Sequence, residues 1–132
     1  MMSPFVGKLR DAGIRVSLFI DPDQRQIELA QRLRAPVVEL HTGTYAAASG
    51  SAQMVELERL SRAAHLASEA GIECHAGHGL TFQNVSAVAA IPHVAELNIG
   101  HFLVGEAIFT GLANAIRKMK VVIAEGVQAS RR

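Results

Sequence analysis

The sequence lacks the features that mark several broad classes of protein. It has a single cysteine, Cys74, so no intramolecular disulfide can form and a reducing compartment is expected. No apolar run approaches the roughly 20 residues that a membrane-spanning helix needs. The N-terminus also lacks the basic-then-apolar pattern of a signal peptide. These absences predict a soluble, cytoplasmic protein with no membrane partner.

An excess of charge of either sign is also missing. The chain has 13 Lys and Arg residues against 12 Asp and Glu residues, for a formal net charge of +1. Apart from Arg131 and Arg132 at the end of the chain, the basic residues are scattered, which argues against a nucleic-acid-binding surface. The apolar share of 49% over 132 residues excludes disorder and is sufficient for the core of one domain.

The hydrophobic pattern predicts four strands, each followed by helical sequence, after a first helix that ends near Gly13. The predicted strands are residues 15–20, 37–41, 72–76 and 96–99. The helices between them are predicted to run from an Asp21 cap to about residue 33, over 51–70 and over 81–90. Two more helices are predicted, over 102–110 and from 112 to about 125. Residues 44–50 are predicted to form a loop. This order predicts a parallel α/β sheet, either open and doubly wound or half of a barrel.

The turn Gly77-His78-Gly79 stands at the centre of the functional prediction. It follows a predicted strand and precedes a predicted helix, so its backbone N–H groups can face an anionic ligand. A histidine at such a turn suits proton transfer near neutral pH. The alternative is that the turn is an ordinary connector of an α/β protein.

Other polar residues lie at the same edge of the predicted sheet. His41 is the last residue of one further strand, and His101 follows another. Glu39 shares a face with His41 because alternate residues of a strand point the same way. Glu39 could act in the site or could form an ion pair with an arginine inside a barrel, for which Arg15 is one candidate. No closely spaced pair of zinc ligands occurs, so the pattern argues against a metal site.

The segment that ends at Gly100 and His101 predicts a phosphate site. A short helix follows this strand directly, and phosphate groups bind at such helix N-termini in barrel proteins. Gly79, Gly100 and His101 are the predicted phosphate contacts. The alternative for Gly100 is that it only permits close packing.

Four segments together resemble the pyridoxine 5'-phosphate synthase family. They are Ser17 to Pro22, Glu39 to Gly43 followed by Tyr45 and Ala46, Ala76 to Thr81 followed by Asn84 and Val85, and Glu96 to His101. The resemblance covers residues 4–125, in order and in register. It implies a TIM (β/α)8 barrel that condenses 3-amino-2-oxopropyl phosphate with 1-deoxy-D-xylulose 5-phosphate and needs no metal or organic cofactor.

The resemblance also implies roles for individual residues. His78 matches the proton donor of the family, and Glu39 matches a carboxylate that stabilises cationic or proton-transfer states. Gly79, Gly100 and His101 match the site that binds the aminoketone phosphate.

The resemblance extends only to the C-terminal half of the barrel. We therefore expect residues 1–132 to form one half-barrel segment, equivalent to strands five to eight, which self-associates or pairs with a second half barrel. Two other functions stay open. One is a non-catalytic phosphate-binding half barrel, and the other is an isomerase or aldolase of the barrel class. The second is disfavoured because Lys8, Lys118 and Lys120 lie on helical segments and not at strand ends.

Overall fold

A four-stranded parallel sheet forms the centre of the computed structural model, which describes residues 3–130. The strands lie side by side in chain order, β1-β2-β3-β4. Their bounds are β1 Ser17–Ile20, β2 Val37–His41, β3 Glu73–Gly77 and β4 Val94–Asn98. The predicted α/β class and parallel order are confirmed, and the architecture is consistent with a fold of the TIM type.

Helices connect and cover the strands. Within the described residues they are α1 Ser3–Asp11, α2 Gln24–Arg32, α3 Gly43–Ala47, α4 Gly50–Glu69, α5 Val85–Ala89, α6 His101–Thr110 and α7 Leu112–Ala129. None of them is long and apolar enough to cross a membrane. The 20-residue helix α4 packs against β2 and β3 and is the main helix on this side of the two strands.

One face of the sheet forms the hydrophobic core with these helices. Leu40 and Ala76, at helix-facing positions of β2 and β3, are at most 1% exposed, and Leu60 and Ala64 of α4 are equally buried. Burying one leucine side chain stabilises a fold by about 1.5–3 kcal/mol. Because successive side chains of a strand point to opposite faces, the remaining residues of each strand lie on the other face of the sheet.

That opposite face carries mainly polar residues. In register across β1, β2, β3 and β4 it carries Phe19, Glu39, His75 and Glu96 in one row. The next row toward the carboxyl ends of the strands contains His41, Gly77 and Asn98. Phe19 remains 57% exposed, which is unusual for an aromatic side chain on a central sheet.

Three boundaries differ from the predicted ones. The cap of α2 is Asp23 and not Asp21, because the Asp23 carboxylate accepts hydrogen bonds from the backbone of Arg25 and Gln26. Residues 43–47 form the short helix α3 instead of a loop, and the buried Tyr45 side chain anchors it. Helix α5 begins at Val85 and not at residue 81, because Asn84 holds the preceding turn.

Candidate functional site

A cavity of about 640 Å³ lies at the carboxyl end of β2, β3 and β4. The five residues predicted for the site all line it. They are Glu39, His78, Gly79, Gly100 and His101, and Phe19, Leu80, Thr81, Asn98, Ile99 and Phe102 complete the wall. The structure therefore brings these five residues together from the ends of β2, β3 and β4, although they lie as many as 62 positions apart in the sequence.

The backbone of the His78 turn is held in an uncommon conformation. His78 and Gly79 both have positive φ, of 83° and 78°. The Thr42 hydroxyl is within donating distance of the carbonyl oxygens of Gly77, at 2.8 Å, and His78, at 2.5 Å. Thr42 is completely buried. Because left-handed backbone is costly for a non-glycine residue, this buried anchor is what keeps His78 at the cavity.

A second set of hydrogen bonds holds the other side of the same turn. Asn84 accepts a hydrogen bond from the Thr81 N–H at 2.7 Å and donates one to the Gly79 carbonyl oxygen at 3.2 Å. The hydroxyl of Tyr45 donates to the Asn84 carbonyl oxygen at 2.7 Å, and burial raises the pKa of this phenol. The turn is thus fixed before any ligand binds.

The imidazole ring of His41 packs against that of His78, and of these two histidines only His78 lines the cavity. The ring centroids of His41 and His78 are 4.7 Å apart, and Phe19 packs edge-on against His41 at 5.2 Å. Asp21 approaches His41 Nδ1 at 3.7 Å. A Cβ atom on Gly43 would lie 2.6 Å from His41 Cε1 and 3.2 Å from His78 Cδ2, so the glycine provides the space for both rings.

The carboxylate of Glu39 is held by an amide. Asn98 Nδ2 donates to Glu39 Oε2 at 2.8 Å, and both side chains line the cavity. Arg15, considered above as an ion-pair partner for Glu39, pairs instead with Glu73 at 2.7 Å. The alternative of an ion pair between Glu39 and Arg15 is therefore wrong, and Glu39 faces the cavity without Arg15.

The N-terminus of α6 forms the opposite wall. Gly100 is its N-cap residue, and no side chain caps the first turn. A Cβ atom on Gly100 would meet nothing within 4 Å, so the helix start is open to the cavity. Unpaired N–H groups and the helix dipole make such a start a favourable place for an anion.

A separate polar network lies farther from the cavity mouth on the same sheet face. His75 Nε2 is 2.7 Å from Glu73 Oε1, and His75 Nδ1 is 3.5 Å from Glu96 Oε1. The hydrogen bonds from His75 and then from Arg15 lower the pKa of Glu73. None of the four residues lines the cavity, which indicates a structural role.

Cys74 points into the core with the helix-facing parity that the sequence predicts, and burial raises its pKa to about 12. The residues that the structure describes contain no group of three His, Cys, Asp or Glu side chains arranged to hold a metal ion.

Sequence reasoning missed Thr42 and Asn98, which shape the site, and it missed that Gly77 leaves space for the Glu39 carboxylate. Asn98 shares strand parity with Glu96, which was a detectable signal that it points to the cavity side. Thr42 and Gly77 give no such signal, because their roles depend on contacts between neighbouring strands.

Comparison with known proteins identifies related sequences. Residues 1–125 match the family described as Pyridoxal phosphate biosynthesis protein PdxJ. The chain is 59% identical over 122 residues to the pyridoxine 5'-phosphate synthase of Gluconobacter oxydans, covering 92% of this chain and 51% of the relative. It is 57% identical over 120 residues to that of Rhodospirillum rubrum, covering 90% and 48%. The chain thus spans about half the length of the curated relatives it matches.

Proposed function

Because the chain belongs to the family of Pyridoxal phosphate biosynthesis protein PdxJ, we propose that it acts as part of a pyridoxine 5'-phosphate synthase. The proposed reaction condenses 3-amino-2-oxopropyl phosphate with 1-deoxy-D-xylulose 5-phosphate, giving pyridoxine 5'-phosphate, phosphate and water. The observation that carries the proposal is the shared cavity, in which an imidazole, a carboxylate and an uncapped helix start face one space.

Each group suits one requirement of this chemistry. Condensation, dehydration and ring closure need repeated proton transfer, and His78 is the proposed proton donor. Glu39 is proposed to stabilise the cationic intermediates of an amine and a ketone. Gly79, Gly100 and His101 are proposed to bind the phosphate of the aminoketone with backbone N–H groups and the start of α6. The proposal needs no metal and no organic cofactor.

The domain is proposed to be a half barrel over residues 1–132. β1 and β4 are the two edges of the sheet, and closure into a barrel would pair both of them. The polar face with Phe19 would then become the barrel interior. Open edges and an exposed aromatic residue favour association with another chain, either a second copy or a complementary half barrel.

The charges on the polar face favour a complementary half over a second copy. Glu39, Glu73 and Glu96 lie on this face, and Arg15 pairs with one of them, Glu73. Pairing two copies would enclose two sets of these carboxylates in one interior, where like charges repel strongly. A half barrel whose inner face supplies cations would neutralise them. A cytoplasmic location and the absence of nucleic-acid and membrane partners stay predictions from composition.

The alternative function is a phosphate-binding half barrel without turnover. It is favoured by one fact, that the chain spans only about half of its relatives. The test is a product assay with both substrates, on the chain alone and after addition of the part of the Gluconobacter oxydans relative that this chain does not match. Product in the mixture supports the synthase. Phosphate affinity without product in either sample supports the binding module.

Variants separate chemistry from binding in the same assay. His78→Asn is expected to abolish product while inorganic phosphate still binds, because the proton donor is lost but the helix start is intact. Gly100→Leu is expected to weaken phosphate binding first, because its side chain would project at the start of α6. His65→Asn, on the exposed face of α4, is the matched control. Full activity of His78→Asn would contradict the proposed role.

A further inference from the structure

One side-chain contact at the cavity joins β2 to β4 and crosses over β3, which lies between them. In register, Glu39 of β2 lies beside His75 of β3, while Gly77 pairs with Asn98 of β4. The Glu39 side chain therefore passes diagonally over Gly77 to reach Asn98, and the two side chains meet at 2.8 Å. This contact links two strands that do not pair with each other.

Gly77 is what permits the crossing. A Cβ atom at this position would collide with Glu39 Oε1 and would lie 2.8 Å from the Asn98 carbonyl oxygen. Gly77 is not among the glycines with positive φ, so any residue could adopt its backbone. The glycine is needed for the empty space above it, which the Glu39 carboxylate occupies.

The contact also accounts for the orientation of the carboxylate. Within residues 3–130 Glu39 forms no ion pair, and Asn98 is its side-chain partner. Asn98 Nδ2 fixes Oε2, while Oε1 lies above Gly77. A hydrogen bond from a neutral amide holds the carboxylate without neutralising its charge, so the charge stays available to a cation in the cavity.

We propose that Asn98 is a positioning residue which, over the gap left by Gly77, fixes the Glu39 carboxylate at the cavity. This inference rests on the proposed function for the role of Glu39 in the reaction. The contact itself can be tested without any turnover, so the two can fail separately.

The first experiment uses the chain alone and observes the Asn98 side-chain amide by proton–nitrogen NMR. In the wild-type chain its protons are expected to exchange slowly and to shift downfield, because one of them is bonded to a carboxylate. Glu39→Ala and Gly77→Ala are each expected to remove this signature. The first deletes the acceptor, and the second displaces the Glu39 carboxylate and the neighbouring backbone of Asn98. Glu58→Ala, on the exposed side of α4, is the matched control.

The side-chain amide of Asn84 serves as an internal reference, since it donates to the Gly79 carbonyl oxygen and not to Glu39. It should be unchanged in all three variants, which shows that the fold is intact. An Asn98 amide signal that is the same in wild type and in Glu39→Ala would overturn the proposal.

The second experiment measures turnover in whichever form, alone or complemented, makes product. Asn98→Ala is expected to lower kcat by about 10- to 100-fold with KM little changed, because misplacement by about 1 Å has effects of this size. Asn114→Ala, an exposed asparagine on α7, should be neutral. Equal loss in kcat for both asparagine variants would contradict a specific role.

Asn98→Asp separates positioning from a merely structural role. It keeps the shape of the side chain but replaces the donor with an acceptor, so at neutral pH two carboxylates repel. When its new carboxyl group takes up a proton it can donate again, so the activity ratio of Asn98→Asp to Asn98→Ala should rise as pH falls. A pH-independent ratio would refute positioning. If the wild-type mixture makes no product, the proposed function fails, and the NMR result alone decides the contact.

Discussion

Removal of the Thr42 hydroxyl tests whether this buried side chain holds the His78 turn. In Thr42→Val the shape of the side chain is nearly kept, so little cavity or clash is created. The Gly77 carbonyl oxygen keeps its hydrogen bond from the Thr42 N–H at 2.8 Å, whereas the His78 carbonyl oxygen loses the hydroxyl. The energetic effect therefore comes mainly from one partly buried acceptor.

Leaving a buried acceptor without its partner costs about 1–3 kcal/mol. Because the His78 carbonyl oxygen is only partly buried, we expect Thr42→Val to lower the free energy of unfolding by about 1.5 kcal/mol. For a chain of this size that corresponds to a fall in Tm of about 6 °C. Differential scanning calorimetry measures the fall, and amide hydrogen exchange at Gly79 and Leu80 shows whether the turn has opened. Thr44→Val, on the exposed side of α3, should change stability by less than about 0.5 kcal/mol.

Thr42→Ser separates the hydroxyl from the methyl group. This variant keeps the donor and loses one buried methyl group, worth about 1 kcal/mol, so it should be destabilised while the turn stays protected from exchange. Two outcomes would refute the reasoning. One is that Thr42→Val matches wild type in both Tm and exchange, and the other is that Thr42→Ser opens the turn as much as Thr42→Val does.

Two further predictions follow from titratable groups. The hydrogen bonds from His75 and Arg15 lower the pKa of Glu73 below its ordinary value of 4.5, so this carboxylate stabilises the fold above that pH, and the stabilisation is lost as pH falls through the lowered value. Urea midpoints of Glu73→Gln should therefore fall less steeply on acidification than those of wild type, and parallel curves would contradict this. Burial raises the pKa of Cys74 to about 12, so at pH 8 the thiol should resist iodoacetamide in the native chain and react quickly in urea. Equal rates in both states would show that Cys74 is accessible.

Much of the fold could be predicted because strand periodicity and helix signals agree along the chain. In β2 the alternation of Val38 and Leu40 with Glu39 and His41 fixes which residues face the helices. The parallel order follows from the long helical connections between strands. The same reasoning placed Glu39 and His78 at one edge of the sheet, and both line the cavity.

Helix boundaries were less predictable because they depend on individual side-chain contacts. The α5 region has helical periodicity from residue 81, but the Thr81 N–H bonds to the Asn84 side chain and the helix begins after it. The segment at α3 is rich in alanine, serine and glycine, a composition typical of loops. Its helix depends on the burial of Tyr45, which the local sequence does not reveal.

The partner of Glu39 could not be predicted, because the hydrophobic periodicity of a strand does not determine its register with the neighbouring strands. Phe19 is level with Glu39 across β1 and β2, and Arg15 lies four residues earlier, about 13 Å along the strand. Arg15 therefore reaches Glu73 and not Glu39. On the other side, a register shift between Cys74 and His75 sets the position of Asn98 relative to Glu39.

The glycines near the cavity have a role that backbone conformation alone would not suggest. Gly79 has positive φ, but Gly43 and Gly77 do not. At all three positions an added Cβ would collide: with the His41 ring at Gly43, with Glu39 at Gly77 and with Ala46 at Gly79. At Gly100 it would meet nothing within 4 Å. Three glycines thus let the walls of the site pack closely, whereas the fourth leaves the helix start open. This open helix start is where we propose that the phosphate binds.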